Sequence, residues 1–288
     1  MSDLCTVAKE LLQSGQVKLI VGYEKGSGPH RTRPVVIRSA EEAGRLVFDH
    51  HSLNNLAVYL TRKEIKHEGR IGIVAKGCDV RAIVQLIQEK QVKREDVVII
   101  GMACDGVVRE FGLAWEREHV APKCAVCDVR TPHLYDILVG SPAPFEPPAD
   151  SQLARIEQLK AMPPAERWAF WEREFEKCIR CYACRQICPM CFCDRCIADK
   201  SVPQWLESSA SRRGNLAWNI MRAFHLAGRC VGCGECDRVC PVDIPLSLLN
   251  REMALVAKQE YGYEPGRDPE APTLIGTYDK DDRQDFIQ

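Results

Sequence analysis

A chain that carries C-x2-C-x2-C-x3-C-P twice has little freedom in what it can fold around. The first copy is Cys178, Cys181, Cys184 and Cys188-Pro189, within KCIRCYACRQICPMCFCDRC; the second is Cys230, Cys233, Cys236 and Cys240-Pro241, within RCVGCGECDRVCPVDIP. A two-residue gap in a tight turn lets three thiolates converge on one centre, while the fourth cysteine, displaced by the start of a helix, faces away. The whole chain has 16 cysteines in 288 residues. In a secreted chain that density would suggest a disulfide framework. MSDLCTVAKELLQ, however, places Asp3, Lys9 and Glu10 where a signal peptide needs an unbroken apolar stretch, so the protein is expected to be cytoplasmic and its thiols to be metal-binding or catalytic.

In two-cluster ferredoxins the fourth cysteine of each motif completes the partner cluster. On that logic Cys178, Cys181, Cys184 and Cys240 hold one [4Fe–4S] cluster, and Cys230, Cys233, Cys236 and Cys188 hold another. A single C-x2-C suits zinc equally well, but two complete copies with the trailing proline do not. Cys191, Cys193 and Cys196 are left over from the first stretch. They read either as sulfurs packed beside a cluster or as a further cluster or metal site that borrows a fourth ligand. Cys5 is the weak candidate for that ligand and otherwise a free thiol.

The first 140 residues alternate strand-like and helix-like segments. VKLIVGYE (Val17–Glu24), PVVIR (Pro34–Arg38), RIGIVAKG (Arg70–Gly77) and DVVIIGMAC (Asp96–Cys104) predict strands. EEAGRLVFDH (Glu41–His50) predicts a short helix, and DVRAIVQLIQEK (Asp79–Lys90) a helix capped by Asp79. Strand, helix and strand at Arg70–Cys104 make a βαβ unit with parallel pairing. The fold class is therefore an α/β N-terminal domain, 1–140, followed by a mostly helical ferredoxin-like dicluster domain, 151–260. Between them SPAPFEPPAD (141–150) has four prolines in ten residues and reads as a stiff linker. Helices are expected at Ser151–Met162, Pro163–Cys178, Gln204–Gly228 with a break at Gly214, and Ile244–Gln259; 261–288 reads as an extended C-terminal arm. ERWAFWEREF, with that arm, either supplies a docking surface or packs the two halves together through Trp168, Phe170, Trp171 and Phe175.

Composition excludes two classes of function. A net charge of −1 gives no footprint for nucleic acid. The longest apolar runs, such as Val97–Ile100, are far too short to span a bilayer.

The α/β half has its own thiols. Cys78 and Cys104 follow neighbouring strands, at the carboxyl edge where open α/β sheets place their sites, and Cys124 and Cys127 form a C-x2-C in a loop. These four read as a third [4Fe–4S] site, with zinc or free thiols as the alternative. GYEKGSGPHRTRP offers Gly26, Gly28, Arg31 and Arg33 for a cofactor phosphate, or is an ordinary hairpin. Lys76 and Gly77 either hold an anion or shape the cluster loop. HSLNNLAVYL lines a cofactor pocket or carries a hydrogen-bonded Asn pair at a helix start. His50 and His51 are assigned no metal.

AKGCDVRAIVQLIQEKQVKREDVVIIGMACDGV and CAVCDVRTPHLYDILVG resemble the β subunit family of coenzyme F420-reducing hydrogenases and formate dehydrogenases, over roughly residues 15–140. HLAGRCVGCGECDRVCPVDIPLSLLN, after the α/β domain, is similar to members associated with heterodisulfide-reductase-type complexes. The resemblance implies an α/β domain that carries a flavin (FAD) and an electron-transfer subunit of an anaerobic oxidoreductase complex, with a catalytic partner and a second redox subunit. The expected function is an iron–sulfur relay between those partners. The alternative is a flavin-containing subunit that exchanges a hydride with coenzyme F420 or NAD(P)H and splits it into single electrons. A zinc-stabilised scaffold is the non-redox reading, and no hydrolytic constellation is present.

Overall fold

The computed structural model describes residues 3–141, 150–276 and 280. Of the linker and arm read from the sequence, residues 142–149, 277–279 and 281–288 lie outside the described residues. An α/β region is followed by a helical region, as expected. Five strands, β1 (Leu19–Lys25), β2 (Thr32–Ile37), β3 (Ile71–Ala75), β4 (Val97–Met102) and β5 (Ile137–Val139), form one sheet in the order β2-β1-β3-β4-β5. The hairpin β1–β2 is antiparallel, with Ile20 opposite Ile37; the other neighbours are parallel, with Ile71 opposite Val97 and Ile100 opposite Ile137. Every residue of β3 and β4 is buried, which explains their unbroken apolar runs: strands covered on both faces have no polar alternation to show.

The crossover helix Gly77–Gln88 starts two residues before the position expected. Lys76 is its N-cap, and Asp79 sits at the third helical position, where its carboxylate accepts the Lys76 N–H at 3.0 Å. The backbone of Val129 packs closely on the helix's first residue: a Cβ on Gly77 would lie 1.7 Å from the Val129 carbonyl oxygen. Glu41–His50 is helical only as the 3-10 turn Ala40–Arg45. Leu46 then turns extended and pairs with Glu24, and Val47 N–H donates to the Tyr23 carbonyl, so the sheet recruits a segment that local sequence assigned to a helix. The helix Leu4–Gln13 and the short strand β5 were not anticipated.

The helical region comprises Ser151–Ala161, Pro164–Glu176, Arg212–Leu226 and Leu246–Tyr261. Its third helix starts eight residues later than expected, at the N-cap Ser211, whose hydroxyl accepts the Gly214 N–H at 3.0 Å; Gly214 lies in the first turn and breaks nothing. Among the described residues no helix is long and apolar enough to cross a membrane.

One apolar cluster joins the two regions: Met190, Leu226, Val231 and Cys233 are buried with the sheet core. Glu89 accepts from Arg229 at 2.8 Å, and Lys123 meets Glu235 at 3.3 Å across the same joint. The segment after Tyr261 lies along the crossover helix: Arg81 and Gln88 donate to the carbonyls of Pro265, Asp268 and Ala271.

Because the Val129 contact leaves no room for a methyl group, Gly77→Ala should cost roughly 1–3 kcal/mol. A lower urea midpoint at unchanged slope is the expected reading.

Candidate metal centres

Each C-x2-C-x2-C run makes the same backbone turn. In the first, Arg180 and Tyr182 both have φ 59°; at the equivalent places in the second, Gly232 and Gly234 have φ 72° and 67°. Glycine adopts this left-handed conformation freely, whereas Arg and Tyr do not. The first copy therefore carries anchors that the second lacks. Arg180 is buried and donates to the carbonyls of Gly214 at 2.9 Å and Glu207 at 3.1 Å and to the Tyr182 hydroxyl at 3.0 Å; the Tyr182 ring meets Trp218 edge-on at 4.9 Å. Turns of one helical winding follow, Ala183–Gln186 and Glu235–Arg238, and these two pack together.

The thiols fall into neighbourhoods. Burial raises the Cys184 thiol, and its remaining interactions include Cys178, Cys181 and Cys240. Cys230 and Cys233, raised likewise by burial, both interact with Cys188, and Cys236 interacts with Cys230 and Cys233. The fourth cysteine of each motif, Cys188 or Cys240, thus interacts with cysteines of the other motif. At the carboxyl edge of the sheet, burial lifts Cys104 to about 11, with Cys124 and Cys127 beside it, and Cys78 in turn interacts with Cys127. The Gly106 and Val107 N–H groups point at the sulfurs of Cys104 and Cys124, both at 3.4 Å, and Asn55 donates to the Cys78 carbonyl at 3.2 Å.

Two of these groups face one space. A cavity of about 300 Å³ at the joint is lined by Cys78, Cys104, Cys124 and Cys127 from one side and by Cys188, Cys230, Cys233 and Cys236 from the other. The donor chemistry suits iron–sulfur clusters rather than single ions. Zinc held at about 2.3 Å needs its sulfurs within about 3.8 Å of one another. Among the described residues no cysteine belongs to a set of three ligand atoms within 4.8 Å; the one set that does, Glu116, Glu118 and His119, contains no sulfur. A cube of four irons separates its thiolates more widely.

The remaining sequence candidates are placed differently. Cys191 lies against Cys188, whose thiol hydrogen bond holds Cys191 below its ordinary range. Cys193 is exposed, and Cys196 caps the short turn Ile197–Asp199 beside Arg185. Cys5 points its thiol at the Leu46 carbonyl at 3.5 Å. Lys76 is buried, and its ammonium donates to the Tyr23 hydroxyl and the Asn54 carbonyl, both at 2.6 Å, and to Asp79 at 3.0 Å; with Gly77 it lines the cavity. Gly26, Gly28, Arg31 and Arg33 belong to the β1–β2 hairpin and do not line it; Arg33 pairs with Glu24 at 2.8 Å. In HSLNNLAVYL, Asn55 caps the turn Leu56–Thr61. His50 stacks on Trp115, and the His51 ring contacts the Leu113 carbonyl. Phe175, Trp171 and Phe170 pack within the helical region, and Trp168 is exposed.

Two charged side chains at the thiol groups escaped sequence reading: Lys123, half-buried, and Arg222, only 4% exposed, both line the cavity. Nothing local marks either as facing a thiol.

A 4Fe–4S dicluster domain family matches residues 174–244, spanning both motifs. Both cysteine motifs thus fall in a region similar to a 4Fe–4S dicluster domain, carried behind an α/β sheet. Over 93% of its length it is 24% identical to the F420-dependent formate dehydrogenase subunit beta of Methanocaldococcus jannaschii, covering 92% of that protein. It is also 24% identical, over the same share of the chain, to F420-dependent formate dehydrogenase 1 subunit beta of Methanococcus maripaludis, covering 91% of it.

Crosswise sharing makes a distinctive pattern of iron loss. Cys178→Ser and Cys240→Ser should each remove about four irons, and the double variant no more than either alone, whereas Cys178→Ser with Cys188→Ser should remove about eight. Cys193→Ser should leave the iron count unchanged. Iron assays on anaerobically purified protein check both expectations.

Proposed function

We propose that this chain is the electron-relaying subunit of a formate dehydrogenase-type complex, with three [4Fe–4S] sites: Cys178, Cys181, Cys184 and Cys240; Cys188, Cys230, Cys233 and Cys236; and Cys78, Cys104, Cys124 and Cys127. The observation that carries this reading is the shared cavity, which sets two of those groups face to face. Clusters of this kind supply one-electron carriers whose potentials follow charge, hydrogen bonding and exposure.

The chain's own residues arrange the rest. Lys76, buried, and Lys123, half-buried, place cations beside the rim thiols, and although burial opposes it, neighbouring Asp79 and thiol charge hold the Lys76 ammonium protonated. Lys123 also reaches Glu235, in the second motif, so the rim and that motif share one charge network. Arg222 donates to the Cys184 carbonyl and lines the cavity with the Cys188 group, which supports reading the Cys188 group as the middle carrier. Cys181, the exposed member of the outer group, marks where that end meets the surface. The sheet region, 1–140, and the helical region, 151–260, serve as the two halves of this carrier, and a catalytic partner and a second redox subunit complete it.

A second reading is supported by the names of the relatives, both of which are F420-dependent. A hydride carrier delivers electrons in pairs, whereas clusters take them singly, so a complex of that kind needs a flavin or an equivalent exchanger. In this reading FAD is bound by the α/β region, and coenzyme F420 or NAD(P)H is the hydride partner.

Anaerobic purification with iron and flavin quantified per chain separates these readings. About twelve irons are expected for three clusters. Flavin released on denaturation selects the second reading, and full iron without flavin selects the plain relay. Cys233→Ala should bleach one cluster and abolish electron flow; full iron and activity in that variant would reject the assignment.

A further inference from the structure

The stretch between the two cysteine motifs is more than a spacer. Its helix, Arg212–Leu226, turns one face toward the first motif. Asn215 donates to the Cys178 carbonyl at 2.7 Å, Trp218 meets the Tyr182 ring, and Arg222, two turns after Asn215, donates to the Cys184 carbonyl at 3.1 Å. Positions i, i+3 and i+7 share a helix face, so one amphipathic stripe presents all three.

Arg222 is the unusual member. Its side chain is buried, its Nε has no hydrogen-bond partner, and among the described residues no carboxylate forms an ion pair with it. Asp237 is near enough to feel its charge, but that carboxylate is taken by Ser247, whose N–H donates to it at 2.6 Å. A buried cation without a partner costs several kcal/mol. The guanidinium donates to the Cys184 carbonyl of one group and lines the cavity beside Cys188, Cys230, Cys233 and Cys236 of the other, and like any arginine it stays charged. The guanidinium thus stands between the two dicluster sites, and its compensating negative charge is theirs.

We propose that Arg222 is a positioning residue that sets the reduction potentials of both dicluster sites together, a fixed positive charge carried into their midst by the insertion helix. The inference rests on the two crosswise cluster assignments made above. A thiolate-ligated cluster becomes more negative when it accepts an electron, and a buried cation beside it stabilises that added charge. Because one cation serves two sites, it raises both potentials. The rim group of Cys78, Cys104, Cys124 and Cys127 has its own cations, Lys76 and Lys123, and is the internal reference.

The test is an EPR-monitored redox titration of the full chain, purified anaerobically with iron quantified and dithionite supplying the electrons. In Arg222→Gln both dicluster midpoints should become more negative, the rim signal staying in place. The expected reduced-to-oxidised ratio at a fixed ambient potential falls about tenfold, equal to about 59 mV for a one-electron couple. Arg222→Lys keeps the charge and should keep both midpoints near the wild-type values. Full iron with unmoved midpoints in Arg222→Gln overturns the proposal, as does a shift confined to one dicluster site or an equal shift in Arg222→Lys. If Arg222→Gln loses iron while Arg222→Lys retains it, the charge is supported; loss from both assigns the residue to packing and overturns it. Wild-type protein without the dicluster signals would instead reject the cluster assignment on which the inference rests.

Discussion

The structure depends on gathering eight sulfur atoms around one cavity at the junction of a sheet edge and a helical layer. Burial alone disfavours ionised thiols, as the upward shifts of Cys104, Cys184, Cys230 and Cys233 record. A thiolate becomes tolerable there only beside positive charge, from metal or from protein. Each group has such a neighbour: Lys76 and Lys123 beside the rim thiols, and Arg222 between the two motif groups. None of these cations reaches bulk water freely, so they act at low screening, where charge interactions are strong.

The two motif copies reach one geometry by different routes. The second uses Gly232 and Gly234 where the turn requires a left-handed backbone, while the first holds Arg180 and Tyr182 in that conformation with hydrogen bonds and an aromatic contact to the insertion helix. Strain of this kind persists only where the surroundings over-determine the backbone. The insertion helix therefore has a structural task at the first motif, through Gly214 and Trp218, as well as the electrostatic one at Arg222. The first motif could not shed the insertion and keep its turn.

The regions are joined by the same elements that build the sites. Met190 and Val231, beside the cysteines, bury themselves against the sheet core, and the segment after Tyr261 returns to the helix that carries Cys78. Relative movement of the halves would open the cavity between the rim thiols and the second motif. Carriers that exchange single electrons gain from being fixed at short range, and a shared apolar core achieves that.

The sequence by itself determined the chemistry of the thiols and most of the architecture. Cysteine spacing is a local property that fixes local turns, so the two equivalent turns of the motifs were legible from Cys178 to Cys188 and from Cys230 to Cys240. The unbroken apolar runs of β3 and β4 announced a buried parallel sheet. Local signals misled at three places: Leu46 left its helix to pair with Glu24, Lys76 rather than Asp79 became the cap, and the stretch before Ser211 stayed irregular. Only the tertiary structure decided that the rim thiols face the second motif across one cavity, that Cys193 turns outward, and that Arg222 stands among the sulfurs. Those facts depend on how separate elements pack, and a side chain's place between two of them leaves no periodicity or spacing for a sequence to display.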